Sequence, residues 1–161
     1  MRRRTPAVVL FVAAITLLGC QKPPQPRIAV FDPAEYAPFS RTGTGAVEGQ
    51  AFMKTLGGDV KVAAGNEIIL TPVTSYSTEY FTRYVKAYEP LEPADARAGA
   101  FTRIEIGDGE GRFRFEGLPA GKYYVYSYIE WYVDRTTTSG GIAHAEVTVH
   151  DGEVTRAVVT R

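Results

Sequence analysis

Phe113 and Phe115 alternate with Arg112, Arg114 and Glu116 between Gly111 and Gly117. Alternation with a period of two puts both rings on one side of a strand and the charges on the other, so the segment has one buried and one wet face. The same pattern recurs along the chain. Residues 47–53, 60–63, 67–73, 122–134, 141–150 and 153–160 each read as a short strand, with breaks at Gly57-Gly58-Asp59, Gly65-Asn66 and Asp151-Gly152. Pro72 places the end of its strand at an edge or a bulge. Asp151-Gly152 suits the positive φ of a tight hairpin turn between the last two strands. Six to seven short antiparallel strands with glycine turns predict an all-β sandwich around one core.

One segment departs from this rhythm. Tyr76, Tyr80, Tyr84 and Tyr88 recur every four residues. On a helical wheel they share one half with Phe81, Val85 and Ala87, while Thr78, Glu79, Thr82, Arg83 and Lys86 fill the other. A short helix over 75–89 is the preferred reading, with Pro90 to end it. The rival is a strand, because the four tyrosines are all even-numbered and Tyr, Thr, Phe and Val favour sheets. A strand, however, would mix Phe81 and Val85 with Glu79 and Arg83 on one face.

The run from Gly111 through Phe113, Phe115, Gly117, Leu118, Pro119 and Gly121 to Tyr123 and Val125 is the most specific stretch of the globular part. Two aromatics enter the core, a glycine-flanked proline turns the chain, and two further apolar side chains return from the next strand. This stretch, together with Val47, Gly49 and Ala51 in the first strand, resembles the carboxypeptidase regulatory-like domain. That resemblance implies an antiparallel seven-stranded transthyretin-like (prealbumin-type) β-sandwich over 42–161. It is informative for fold and poor for function, since such domains serve as accessory modules on many bacterial surface proteins. The segment from Lys54 and Gly57-Gly58-Asp59 through Gly65-Asn66 to Leu70 and Pro72 is similar to small bacterial lipoproteins built on this domain.

The amino terminus agrees with that affiliation. Arg2, Arg3 and Arg4 precede an apolar run over 7–19 that is shorter than the ~20 residues a membrane-spanning helix needs. Such a run is the anatomy of a cleaved export signal, here residues 1–19. It ends Leu17-Leu18-Gly19-Cys20, which resembles the lipobox of bacterial lipoproteins and implies acylation of Cys20, palmitate included. Each buried CH₂ contributes ~0.8 kcal/mol to membrane binding, so two or three chains hold firmly. Cys20 is the single cysteine; once it carries lipid, no thiol is left for disulfides, metal or nucleophilic catalysis. Residues 20–41 are expected to be a lipidated tether. Pro23, Pro24 and Pro26 stiffen its start into extended polyproline structure, and residues 27–40 lie loosely against the domain. Gln21, where the lipoprotein pattern of enteric-type bacteria places Asp to retain a protein at the inner membrane, points to the outer membrane and its periplasmic face.

Charge narrows the partners. Three of the 18 basic residues leave with the signal and none of the 18 acidic ones does, so the mature chain carries 15 against 18, a net charge of −3. No basic block survives to hold a nucleic acid. Chemistry known on this kind of sandwich finds no foothold. Intradiol dioxygenases hold iron with two Tyr and a close His pair, but His144 and His150, six apart on one expected strand, would lie ~20 Å apart at ~3.3 Å per residue. The terminal Tyr-Arg-Gly-Ser motif of hydroxyisourate hydrolases is missing from the end of this chain. Asp108-Gly109-Glu110-Gly111 lacks the ligand spacing of a calcium loop and reads as a hairpin turn. The single asparagine, Asn66, is misplaced for an isopeptide staple. No cofactor or metal is expected.

What remains is an aromatic stripe. With Tyr123 and Val125 inward, Tyr124, Tyr126, Tyr128 and Tyr132 point outward from the same strand as a possible binding surface for glycan or protein. The competing reading packs residues 76–88 over this ladder. Nine of the ten tyrosines lie in these two segments, which makes mutual packing attractive. The expectation is a non-catalytic, lipid-anchored envelope domain that contacts a protein or glycan. A structural accessory subunit of an envelope complex and a degenerate hydrolase or metal enzyme are the alternatives. Replacing Cys20 by Ala is expected to leave the fold intact and to abolish palmitate labelling. The variant should leave the membrane fraction or accumulate unprocessed; a protein still cut and acylated would sink the anchor assignment.

Overall fold

The computed structural model describes residues 22–161; the signal and Cys20 lie outside the described residues. Eight strands form two four-stranded sheets packed face to face, the all-β sandwich that alternation predicts. β1 (Gly45–Lys54) is the spine of the first sheet. It pairs antiparallel with β2 (Val60–Val62) and β5 (Arg112–Leu118), and parallel with β8 (Val154–Val159). The second sheet runs β4 (Arg103–Ile106), β3 (Glu67–Pro72), β6 (Gly121–Tyr132), β7 (Thr138–Val149), all antiparallel. Between the sheets lie Val47, Ala51, Ile68, Leu70, Phe115 and Val125, each without exposed surface. Phe113 and Phe115 face inward on β5 as their spacing requires, and Tyr123 is buried with its hydroxyl donating to the Pro119 carbonyl at 2.8 Å.

Two turns work differently from their sequence reading. Gly152 adopts φ 74°, but Asp151-Gly152 does not close a hairpin. β7 belongs to the second sheet and β8 crosses to pair with β1 in the first, so the turn is a corner between layers. The glycine-framed stretch 117–121 is a corner too, carrying the chain from β5 to β6 with Gly117 at φ 66°. Close approach explains Gly49: a Cβ there would stand 2.1 Å from the Ala157 carbonyl oxygen, inside the parallel β1–β8 pair. β4 is a strand that sequence reading does not single out. Ile104 and Ile106 alternate with Arg103 and Glu105, but all four residues are exposed on a sheet edge, so no buried face announces them.

The insertion over 75–89 is helical. Thr74 caps α2 (Ser75–Tyr80) reciprocally: its hydroxyl accepts from the Ser77 amide at 3.1 Å, and the Ser77 hydroxyl accepts from the Thr74 amide at 2.9 Å. The helix continues into a wide π-type turn, Phe81–Lys86, and lies across the outer face of the second sheet. Phe81 stacks on Tyr124 at 3.8 Å with the rings 9° apart, and Val85 is buried beside Ile142. Tyr88 stops the helix two residues before Pro90. It holds the left-handed φ of 56° that glycine usually takes, and the Glu89 amide reaches back to the Arg83 carbonyl at 2.8 Å. The Tyr88 hydroxyl accepts from the Ile142 amide and from Arg161 at 2.9 and 2.8 Å, which fastens this cap to β7 and the carboxyl terminus.

The stretch expected to lie loosely is built in. Asp32 caps the one-turn α1 (Pro33–Tyr36), Phe31 stacks on Tyr36 at 4.7 Å, and both are buried against Tyr76. Phe39 meets Tyr123 edge-on at 5.3 Å. Phe31, Tyr36, Tyr76 and Phe101 thus form a small core of their own, while Phe39 packs on the main one, so the globular body begins well before residue 42. Among the described residues no helix is long and apolar enough to cross a membrane.

Truncating Phe81 to Ala removes the ring that roofs Tyr124. A buried Phe→Ala change costs about 3–5 kcal/mol, and urea unfolding is expected to show a loss of that size. A cost below about 1 kcal/mol would mean that the helix is an ornament on the sheet.

Candidate functional site

The helix that buries Tyr124 also creates a cleft. A period of four advances ~40° from Tyr76 to Tyr80 on the 3.6-residue part of the helix, and the tyrosine row leaves the buried face along its length. Tyr76 is buried, Tyr80 half-buried, and Tyr84 37% exposed. Tyr80 and Tyr84 stack on each other at 5.0 Å, and Tyr126 from β6 stands tilted to Tyr80 at 6.2 Å. Facing them are Pro90 to Ala94 and the loop around α3 (Ala96–Gly99). The space between is about 430 Å³, within the range of small-ligand pockets, and five tyrosines are among its lining residues.

The amino-terminal strap completes the cleft. Gln25 forms a parallel bridge with Leu91, its amide donating to the Pro90 carbonyl at 2.7 Å and its carbonyl accepting from Glu92 at 2.9 Å. Arg27 then enters beside the rings. Its guanidinium lies 4.9 Å from the centre of Tyr76 and 5.5 Å from that of Tyr80, and Nε donates to the Glu92 carbonyl at 2.9 Å. Glu79 of α2 holds the strap in place. Its carboxylate accepts from the Ile28 and Ala29 amides at 2.8 and 2.9 Å and from Arg83 at 2.6 Å. Burial disfavours the charge on Glu79, yet these donors outweigh it and keep the carboxyl below its ordinary value.

The electrostatics are those of a stacking surface. Burial pushes the Tyr80 phenol up to about 12 and the Tyr126 phenol higher still. Arg83 is neutralised by Glu79 and Glu89, and Arg97 by Asp95. The Tyr76 hydroxyl accepts from the Asp95 amide at 2.6 Å. Aromatic bodies with polar tips and a planar cation can pack on the C–H faces of a sugar ring while reaching its hydroxyls.

The outward ladder is divided by the helix. Tyr124 is 5% exposed beneath Phe81 and offers no binding surface, because the insertion covers it. Tyr126 is half-buried and serves as a cleft wall. Tyr128 and Tyr132, 54% and 77% exposed, lie beyond the helix toward the far end of β6 and do not line the cleft. His144 sits edge-on to Phe81 at 5.4 Å, while His150 lies past the end of β7 in the corner to β8. Among the described residues no cluster of three His, Cys, Asp or Glu is arranged to hold a metal ion. Asp108 spends its carboxylate on the Glu110 and Arg112 amides at 2.8 and 2.9 Å, as a turn residue does. Asn66 donates its side-chain amide to the Tyr128 carbonyl and ties a turn to β6. Sequence reasoning passed over Tyr80 and Tyr84 as site residues, although their period was visible, because the drift off the sheet is set by the packing of Phe81. Arg27 carried no signal; it reads as tether.

No family model matches the chain, and no curated protein matches it. A solved structure does. The crystal structure of a candidate carbohydrate-binding protein from Pseudomonas aeruginosa superposes with a TM-score of 0.73 at 26% identity, over 81% of this chain and 97% of that one.

A group whose folded pKa is raised stabilises the fold fully below its unfolded value and loses that contribution as pH climbs through the folded one. Tyr80 and Tyr123, both raised by burial to about 12, make stability fall as pH rises from about 10 to about 12. Urea midpoints measured across that window are expected to decline, and Tyr80→Phe to flatten the decline. An unchanged slope would place the Tyr80 phenol in water.

Proposed function

We propose that this protein is a lipid-anchored lipoprotein of the bacterial envelope that binds glycan non-catalytically through the tyrosine-lined cleft. Tyr84, 37% exposed and stacked on Tyr80 beside Arg27, carries this reading, because a partly exposed ring held in place next to a cation suits a sugar ring. The likeness to the P. aeruginosa protein supports it independently. The cleft is poorly equipped for hydrolysis. Glycoside cleavage uses two carboxyl groups about 5–9.5 Å apart, and among the described residues Glu92 is the carboxylate that lines this space.

Membership of the carboxypeptidase regulatory-like (transthyretin-like) family is part of the same proposal, supported by the sandwich and by the Gly111 to Val125 motif that turns its corner. So is the anchor, supported by Leu17-Leu18-Gly19-Cys20. Acylated at Cys20, the protein would sit on the periplasmic face of the outer membrane after loss of its signal peptide. The strap is fastened from Gln25, five residues on, and at ~3.6 Å per residue the reach is at most about 18 Å. The cleft would then work close to the headgroups, on glycan near the membrane surface.

Tyr84→Ala tests the site, since that ring is partly exposed and its removal leaves the core alone. Oligosaccharides that a glycan array identifies are expected to bind the variant about tenfold more weakly by calorimetry, a loss of roughly 1.4 kcal/mol, with little change in Tm. Undiminished affinity would move the site elsewhere.

A further inference from the structure

The Arg27 guanidinium is the least satisfied charged group on the cleft wall. Nη1 is buried and has no hydrogen-bond partner among the described residues. Nε is held by a neutral acceptor, the Glu92 carbonyl, and not by a carboxylate. Other arginines around the cleft are treated differently: Arg83 lies within 2.9 Å of two carboxylates, and Arg97 is paired with Asp95 at 2.6 Å. The contacts that orient Arg27 are ring faces, those of Tyr76 and Tyr80, and ring faces leave in-plane N–H donors free. Nη1 is sealed by protein atoms, so the donor left for a ligand is Nη2, which is neither buried nor bonded among the described residues; a charged donor without an acceptor marks a place where something else is expected to bond.

Resting on the glycan reading above, we propose that the cleft selects acidic glycan: a sugar whose carboxylate meets Nη2 of Arg27 while its ring stacks on Tyr84. A carboxylate adds opposite charge to the hydrogen bond from Nη2, which shortens and strengthens it. A neutral sugar offers single hydroxyls, each of which must also place its own proton. Glu92 is the counterweight; its exposed side chain is the acidic group on this wall and sets a ceiling on the selectivity.

The test uses the full-length protein in a detergent without a sugar headgroup. Calorimetry compares tetragalacturonate with its fully methyl-esterified form, which keeps the rings and linkages and removes the charge. Wild type is expected to bind the acid at least tenfold more tightly than the ester. Arg27→Gln should remove the preference, weakening the acid at least tenfold more than the ester, and Arg27→Lys should keep part of the preference. Glu92→Gln should strengthen binding of the acid. Because Arg27 also braces the strap, near-UV circular dichroism of each variant verifies the fold, and Glu92→Gln tests the charge logic without touching Arg27. Equal affinity of wild type for acid and ester overturns the acidic preference and leaves glycan binding standing. So does binding confined to neutral cello-, malto- or chitotetraose. Failure of every probe at millimolar concentration overturns both.

Discussion

The stack of Phe81 on Tyr124 organises everything on the outer side of the second sheet. An antiparallel sheet can leave one face to water, and β6 carries Tyr124, Tyr126 and Tyr128 on that face. Phe81 lies flat on the first of these at 3.8 Å. Burying a Phe side chain contributes about 1.5–3 kcal/mol; with the rings nearly face to face, the gain here is the area buried and not ring electrostatics. That is enough to seat a short helix, Ser75 to Lys86, which at about three turns is marginal alone. Once the helix is seated, its winding decides where the remaining tyrosines go. Tyr76 turns into the core shared with Phe31 and Tyr36, while Tyr80 and Tyr84 are left at the rim.

Glu79 extends this control to the amino-terminal strap. Its position on the helix follows from Phe81, two residues on, and its carboxylate takes the Ile28 and Ala29 amides together with Arg83. Arg83 in turn donates to the Pro26 carbonyl and to Glu89. One acidic side chain therefore links helix and strap, and the helix end closes the circuit through Tyr88 on β7 and Arg161. Arg27 is carried into the cleft by this arrangement, wedged between two residues whose backbones are fixed. The segment that leads to the proposed lipid is thereby also a wall of the site.

Much of the sandwich was legible because burial and period coincide. Phe113, Phe115, Tyr123 and Val125 announce two strands and the inward face of each, and Val47, Gly49 and Ala51 do the same for the spine. The corner turns were legible as turns and not as corners: the φ preference of Gly152 is local, whereas the choice between pairing with β7 and crossing to β1 is made by the whole core. β4 was silent because Ile104 and Ile106 stay wet on an edge. For the helix, the four-residue tyrosine period gave the winding but misplaced the buried stripe, which follows Phe81 and Val85. The strap was hidden by its own composition. Pro23, Pro24 and Pro26 look like linker, and nothing local says that Phe31 and Tyr36 find Tyr76.

Under the proposed function, packing and binding by the tyrosines are parts of one construction. A sheet face covered completely would have no site, and one left open would be a broad apolar patch prone to unspecific contact. Here one ring of the ladder is sealed, the next forms a wall, and the covering helix supplies the facing rings. Packing thus sets the width of the cleft and fixes Tyr80 and Tyr126, whose phenols burial has already made reluctant to ionise. Rings that are already ordered have little rotamer freedom left to lose when a ligand arrives, so stacking energy is not spent on arranging them. A strongly hydrated ligand such as a sugar gains little net energy per contact, because each hydroxyl gives up water to bond the protein. For it, this prior ordering by Phe81 and Glu79 matters more than the number of aromatic side chains at the surface.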